Sequence, residues 1–294
     1  MDFNKKVILI TGSSSGLGKQ MALGFAKSGG NVSINYNNSK DEAEKLSDEI
    51  TKKYNESLCV QCDVGDIDSV KKMFTRIINK FGKIDVLVNA AAIYEDGQHK
   101  VNENSIINPK SVYGKTKVKG EMLVQLKCKR NKINYGILRY FNIAGSSPSG
   151  KIGLINKSDH LFKNYSREII KKTPILKIYG NDYNTSDGSC IRDFIHVTDI
   201  AEIHYKVLEK IDKSQKSKIL NCGYSKGTSV LEVAKEFKKQ SKNKVKILIT
   251  KKRRGDLVKI IASNNRLLKF IKWKPKFDNL KKIVKSCIKW EKKI

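Results

Sequence analysis

The chain has 294 residues, with 59 Lys+Arg against 29 Asp+Glu and a net charge of +30. Hydrophobic residues make up 39%, enough for a core, and 4 Pro with 20 Gly exclude a disordered or fibrous composition; the length suits one large α/β domain, or one domain with a smaller lobe. No stretch nears the ~20 apolar residues of a membrane span, and the residues before Val7 lack the long apolar run and cleavage site of a signal peptide. A soluble cytoplasmic protein with no membrane partner is expected. The charge invites a nucleic-acid reading, because clustered cations release counterions from phosphate. Lys outnumbers Arg 51 to eight, however, and base readout favours Arg. The densest basic run, Lys251-Lys252-Arg253-Arg254, is only four long. Diffuse Lys bias over a solvated surface therefore outweighs a dedicated nucleic-acid surface.

Residues 7–10 form a short apolar strand, followed by a Gly/Ser turn and a helix through 20–26 that ends at Gly29-Gly30. A strand at 31–35, a helix at 40–53, a strand at 58–62, a helix at 66–81 and a strand at 84–88 come next. Strands alternating with helices of this length predict right-handed βαβ crossovers and a parallel sheet. Residues 89–110 are polar and turn-rich, and lead to a helix at 112–127 and a strand at 136–141. A looser α+β section has a helix near 159–171, a strand at 176–179, a helix at 197–208 and a strand at 219–222. Ser229-Val230-Leu231-Glu232 is a capping box opening another helix, and 245–249 is a further strand. Asp278 is expected to cap a last amphipathic helix carrying Leu280, Ile283, Val284, Cys287 and Ile288 on one stripe. Of six Cys, Cys59 and Cys62 have C-x-x-C spacing, but on a strand i and i+3 point to opposite faces. Two reduced core thiols are expected there, and no metal.

Thr11-Gly12-Ser13-Ser14-Ser15-Gly16-Leu17-Gly18 lies between the first strand and the first helix. Gly12 permits a tight turn, Gly16 lets backbone approach a pyrophosphate, and Gly18 allows close helix–strand contact. The helix N-terminus then offers N–H groups and positive potential to phosphate. The turn resembles that of the short-chain dehydrogenase/reductases, in their ketoacyl-reductase-like branch. Cys62-Asp63-Val64 resembles that branch's adenine-contacting pair, with Asp63 and Val64 at the base, and Val86-Leu87-Val88-Asn89-Ala90-Ala91 resembles its cofactor-side strand end at Asn89 and Ala90. This resemblance covers residues 1 to about 93. It implies a dinucleotide cofactor held by Gly12, Ser14, Gly16, Leu17 and Gly18. An acidic residue after the second strand would grip a ribose 2′-hydroxyl and select NAD; Asn35 and Tyr36 stand there with Asn37, Asn38 and Ser39, so NADP stays open beside NAD.

Tyr113 and Lys117 lie four apart at the start of a helix, on one face. An ammonium beside a phenol favours the phenolate, and such a Tyr can exchange a proton with a sugar or alcohol oxygen. They are the candidate catalytic pair, with Lys117 also a cofactor contact.

From about residue 91 onward the chain resembles the UDP-glucose 4-epimerases of the extended short-chain superfamily. The matching stretches are residues 108–115, 138–142, 148–150 and 178–183, and, most specific, Asp187-Gly188-Ser189-Cys190-Ile191-Arg192-Asp193-Phe194-Ile195-His196-Val197 with Arg253-Arg254-Gly255-Asp256. The resemblance implies interconversion of UDP-glucose and UDP-galactose through a 4-keto intermediate with bound NAD. It places Tyr140 and Phe141 against the cofactor, Asn142 on the substrate diphosphate, and His160 on the nucleotide. Tyr179 would stack on uracil, Arg192 and Arg253 would clamp the diphosphate, and Asp256 would accept from ribose. The physics agrees, since Arg suits bidentate phosphate contact and an aromatic suits a base face. Taken singly, Arg192 could equally pair with Asp193. His99, His196 and His204 read as structural or solvated.

The expected fold class is α/β: a Rossmann-like doubly wound parallel sheet, with a dinucleotide domain at 1–145 and a smaller α+β substrate lobe at 146–294 that returns chain to the sheet. Both branches place a further helix and strand between the Asn89 strand end and the Tyr–Lys helix, and here only a polar loop intervenes. A strand–helix unit is missing, and with it the family's Ser or Thr donor beside the catalytic Tyr; if residues 84–94 stand in for the lost strand, that position falls on Ala90. Losing one such donor costs ~10²–10³ in rate. A partner UDP-sugar, and a homodimer, are compatible with the resemblance. An NADPH-dependent carbonyl reductase and a non-catalytic nucleotide-binding remnant stay open as alternatives.

Overall fold

The computed structural model describes residues 3–88, 100–107, 109, 112–155, 160–253 and 255–294, the side chains of Val112, Tyr113 and Thr116 excepted. The chain packs as two compact units, residues 1–89 with 151–155, and residues 90–150 with 156–294. The expected division near residue 145 follows function, whereas this one follows packing. Asn89 and Ala90, expected at the cofactor, and His99 lie outside the described residues.

The first unit alternates as its sequence predicts: β1 (Val7–Ile10), α1 (Gly16–Lys27), β2 (Asn31–Tyr36), α2 (Lys40–Lys53), β3 (Ser57–Gln61), α3 (Ile67–Phe81) and β4 (Val86–Val88). The four strands form one parallel sheet in the order β3-β2-β1-β4. β1 is buried at all four positions, as expected of a parallel strand with helices on both faces. Val7, Leu9, Val60, Cys62, Met73 and Ile77 form one core cluster, so Cys62 is a core thiol. Burial and the Glu44 carboxylate push the half-buried Cys59 thiol up to about 11, the opposite of a metal ligand or reactive thiolate. Asp66 caps α3, accepting from the N–H groups of Asp68 (3.3 Å) and Ser69 (3.0 Å), and Gly82 ends it in the left-handed region.

The second unit contains β5 (Lys100–Val101), α4 (Val112–Arg130), β6 (Gly136–Tyr140), β7 (Asn142–Ala144), α5 (Leu161–Ile169), β8 (Ile175–Tyr179), β9 (Ile191–Arg192), β10 (Phe194–His196), α6 (Val197–Ser214), β11 (Lys218–Cys222), β12 (Thr228–Ser229), α7 (Val230–Gln240), β13 (Lys246–Thr250), β14 (Lys259–Ala262), α8 (Asn265–Phe270) and α9 (Leu280–Glu291). Among the described residues β9–β12 is the only antiparallel pair; β6–β11, β7–β10, β8–β13, β5–β14 and β9–β14 are parallel. Its core joins α5, α7 and α9 through Phe162, Tyr165, Phe194, Phe237 and Val284, with Phe162 packing edge-on to Phe194 and Phe237. The expected capping box is present: Ser229 Oγ accepts from Glu232 N–H and the Glu232 carboxylate accepts from Ser229 N–H. The last helix is capped one residue later than expected, by Asn279 in place of Asp278, whose side chain accepts from Lys282 N–H.

Between Val88 and Val112 the described residues contain one two-residue strand and no helix. Among them β4 pairs only with β1, and β6 only with β11. Those two strands flank, in sequence, the point where a strand–helix unit is expected to be missing.

Candidate active site

The turn after β1 is built for close backbone approach. Gly12 and Gly16 have φ of +63° and +54°, and a Cβ on either would meet nothing within 4 Å. A Cβ on Gly18 would lie 2.5 Å from the Gly12 carbonyl oxygen and 2.8 Å from Ser13 Cα, so α1 starts hard against the turn. Ser15 at the N-cap makes no side-chain cap bond. The first N–H groups of α1 and the open space beside Gly12 and Gly16 together fit a pyrophosphate. Gly18→Ala is expected to destabilise the protein by about 2–3 kcal/mol, because rigid backbone must shift. Gly24→Ala, in the same helix with open space at its Cβ, should stabilise it by up to ~1 kcal/mol. Urea unfolding that ranks the two variants equal would refute the close approach.

Two expected cofactor contacts are corrected. Asn35 is 2% exposed; its Oδ1 accepts from Gly12 N–H (3.0 Å) and its Nδ2 donates to the Cys62 carbonyl (3.1 Å). Ser13 Oγ accepts from Asn35 N–H (3.0 Å) and donates to the Ile10 carbonyl (2.7 Å). The Asn35 amide pins the turn to β2 and β3 and is spent there, so it is not displayed to a ribose. Tyr36 is also buried. Ser14 is buried within the turn, whereas Leu17 is half-buried. Asp63 and Val64, just past β3, are exposed, and the Asp63 carboxylate accepts from Gly65 N–H (2.8 Å).

The second unit carries a groove of about 690 Å³ between α5, β8 and the segments around Arg192 and Arg253. All six residues expected to hold substrate line it: Asn142, His160, Tyr179, Arg192, Arg253 and Asp256. The β8 alternation puts Leu176 and Ile178 into the core and leaves Tyr179 half-buried at the strand end. The Arg253 guanidinium lies over the Tyr179 ring, 3.7 Å from its centroid. The Arg192 guanidinium is 3.8 Å from the Asp256 carboxylate, not paired with Asp193. Asp193 is fully buried and accepts from the N–H groups of Tyr224 (2.9 Å), Ser225 (2.9 Å) and Ala262 (3.2 Å), which frees Arg192 to face the groove. Burial lowers the His160 pKa, with a hydrogen bond to the Ile143 backbone acting against it, so a neutral imidazole stands at that end. Asn164, Arg167, Glu168 and Lys171 of α5 and its C-terminal turn, with Lys177 and Cys190, complete the walls. Of these six only Cys190 lies in a quoted stretch; four look from sequence like the solvated side of a helix.

Tyr113 and Lys117 occupy the first two turns of α4, four residues apart, with Lys117 half-buried. Tyr140 is turned to the core: it is 6% exposed and its hydroxyl is hydrogen-bonded to His204 Nε2, so its phenol is not displayed to a cofactor. Burial holds the Tyr140 pKa well above the ordinary value. Phe141 is half-buried. His196 and His204 are structural, as expected. His196 Nδ1 accepts from Thr198 N–H as the cap of α6 (3.1 Å), and its ring stacks on Phe277.

A parallel α/β unit with a glycine-rich turn, and a basic groove with a Tyr–Arg stack, define an α/β protein of Rossmann-like fold with a candidate nucleotide site. Residues 77–223, half of the chain, match the profile of the NAD dependent epimerase/dehydratase family, and the chain belongs to that family. Residues 6–120 also match the short chain dehydrogenase profile, so the two matches overlap where the two resemblances meet. The UDP-glucose 4-epimerase of Azospirillum brasilense is 34% identical over 211 residues, covering 71% of this chain. This chain spans 61% of that relative's length. UDP-arabinose 4-epimerase 1 of Arabidopsis thaliana is 28% identical over 338 aligned positions, covering 97% of this chain and 79% of the relative. Since 97% of 294 residues is about 285, some fifty positions of that relative face gaps here, enough for a strand–helix unit. Among solved structures, UDP-glucose-4-epimerase from Stenotrophomonas maltophila, with bound NAD and formylated UDP-arabinopyranose, superposes with a TM-score of 0.83 at 22% identity, covering 98% of each chain; this likeness concerns the fold. No helix among the described residues is long and apolar enough to cross a membrane.

Proposed function

We propose that the protein is a UDP-sugar 4-epimerase of the cytoplasm, interconverting UDP-glucose and UDP-galactose with NAD as resident cofactor. The observation that carries this reading is the convergence of Asn142, His160, Tyr179, Arg192, Arg253 and Asp256 on one groove. A volume of about 690 Å³ suits a nucleotide-sugar. Arg192 and Arg253 offer planar forks to a diphosphate, and Tyr179 offers a face to the base. NAD would be held at its pyrophosphate by Gly12, Gly16 and the α1 N-terminus, which the open space at the turn supports, and at its ribose by Lys117. Bound there, NAD would supply reversible hydride acceptance at the sugar C4.

The chain's own residues supply the rest. Tyr113 would take the proton from the C4 hydroxyl and return it after the 4-keto sugar has turned over in the groove. Lys117 would favour the phenolate, and Asn142 with the two arginines would hold the diphosphate while the sugar rotates. A homodimer is our expectation for the quaternary state, to be read by light scattering.

The test is conversion of UDP-galactose by the purified protein, with UDP affinity measured in parallel and the copurifying cofactor weighed by mass spectrometry. Turnover with NAD found in the protein supports the reading. UDP bound without turnover would leave a nucleotide-binding remnant and sink catalysis. Strict NADPH preference with no affinity for UDP would instead favour the carbonyl reductase.

A further inference from the structure

We propose that the buried Arg139–Glu121 ion pair is the positioning element that sets the rotation of α4, and with it the placement of Tyr113 and Lys117. The inference rests on the epimerase reading above. Arg139 is 3% exposed and Glu121 8%. The guanidinium grips the carboxylate with two bonds, Nε to Oε2 at 3.0 Å and Nη2 to Oε1 at 2.5 Å. Its Nη1 donates to the Glu103 carbonyl oxygen at 3.1 Å. The Glu103 carboxylate in turn accepts from Asn221 N–H (2.8 Å) and lies 3.5 Å from Arg266 Nε.

Two features make this pair more than a fold brace. The first is sequence placement. Glu121 lies one step of four after Lys117 and two after Tyr113, so the three follow one side of α4, each about 6 Å along and about 40° around from the last. Arg139 immediately precedes Tyr140, Phe141 and Asn142. The pair therefore ties the proton-transfer side of α4 to the segment assigned to cofactor and substrate, while Nη1 secures Glu103 in the approach to the helix.

The second feature is that the apolar stripe on the inward side of α4 is thin: Val118, Val124 and Cys128 are only half-buried there. Its inward side carries Glu121, whereas Met122, Leu123 and Leu126 are 57%, 57% and 66% exposed. An ordinary surface helix takes its rotation from the apolar face it buries. Here the bidentate fork adds a strong directional contact at the centre of the inward side. A planar fork fixes direction as well as distance, which an ammonium does not.

The test uses Arg139→Lys and Glu121→Asp, which keep both charges and so avoid an unpaired buried ion, but lose the fork or shorten the reach. The expected result in each is kcat for UDP-galactose reduced by about tenfold or more, since small misplacements of catalytic groups are costly. KM and the Kd for UDP should stay within about twofold, because the six groove residues are untouched. Leu126→Gln, on the exposed side, should leave kcat as it is. If kcat per UDP-binding site is unchanged in both variants, the pair is structural only and the assignment is overturned. Loss of UDP binding in both variants would likewise make it a fold element and overturn it. A wild-type protein that binds UDP but does not turn over defeats the epimerase reading and this assignment with it.

Discussion

Tyr113→Phe is expected to lower UDP-galactose turnover by about 10²–10⁴, while UDP affinity stays within about twofold. The phenol is the only proton acceptor this reading assigns to the C4 hydroxyl, and phenylalanine keeps the ring and removes the acid–base group. Tyr113 lies on α4, whereas the groove assigned to UDP is lined from β7, α5, β8, β9 and the Arg253 segment. Binding and chemistry should therefore separate cleanly. The wild-type rate itself should be low for an epimerase, because the strand that brings a hydroxyl donor in both resembling branches has no counterpart among the described residues, and one lost donor costs ~10²–10³. The measurement is a coupled assay for UDP-glucose with UDP titrated calorimetrically. Wild-type turnover in the Tyr113→Phe protein would remove Tyr113 from the mechanism.

The second large effect is loss of stability in mild acid. Burial lowers His196 and His204 from 6.5 to about 4. The contacts show why the rings must stay neutral. His196 Nδ1 accepts from Thr198 N–H, so that nitrogen carries no proton. His204 Nδ1 faces the Ile200 carbonyl at 2.8 Å and must donate to it, which leaves Nε2 to accept from the Tyr140 hydroxyl. Both folded values lie below the unfolded one, so the unfolded chain takes up protons first as pH falls. The stability is present above about pH 6.5 and is lost toward pH 4, by about 3 kcal/mol per ring at most. Asp193 works the other way. Burial pushes it up from 3.8 to about 6 against the pull of its backbone N–H partners, so the native state binds that proton first and regains some stability below about pH 6. Two histidine protons against one from Asp193 leave a net uptake of about one proton by the unfolded chain, so the melting temperature should fall steadily from about pH 6.5 to about pH 5 and more gently toward pH 4. His204→Gln should flatten the upper part of that curve. A wild-type melting temperature that does not change from pH 7 to about pH 5 would contradict the neutral-ring assignment.

The first unit was legible because every element has its own local pattern: a strand period, a cap such as Asp66, a stop such as Gly82. The groove was legible residue by residue because five of its six expected members sit in linear motifs, with His160 placed by the resemblance alone. What stayed hidden depends on chain that is close only in space. Asp193 finds its donors at Tyr224, Ser225 and Ala262, and Tyr140 finds His204 sixty-four positions away. The pairing of Arg192 with Asp193 was readable as doubtful, since neighbours on an extended chain point to opposite sides; the partner, Asp256, is a strand away. The two- and three-residue strands β5, β7, β9, β10 and β12 are too short to show any period. In α4 the buried ion pair could not be read from pattern, since Glu121 sits on the inward side while Met122, Leu123 and Leu126 are exposed.

The guanidinium resting on Tyr179 has a consequence for selection among ligands. A base entering that face must exchange places with Arg253, replacing a cation–π contact of about 0.5–1 kcal/mol at an exposed site with a stack of ~1–3 kcal/mol. Arg253, once displaced, is within reach of the phosphates that follow the base. A bare sugar phosphate has no ring to trade for the guanidinium, and finds the arginine still engaged. On the epimerase reading, discrimination against bare sugar phosphates would therefore rest on the resting position of a single side chain.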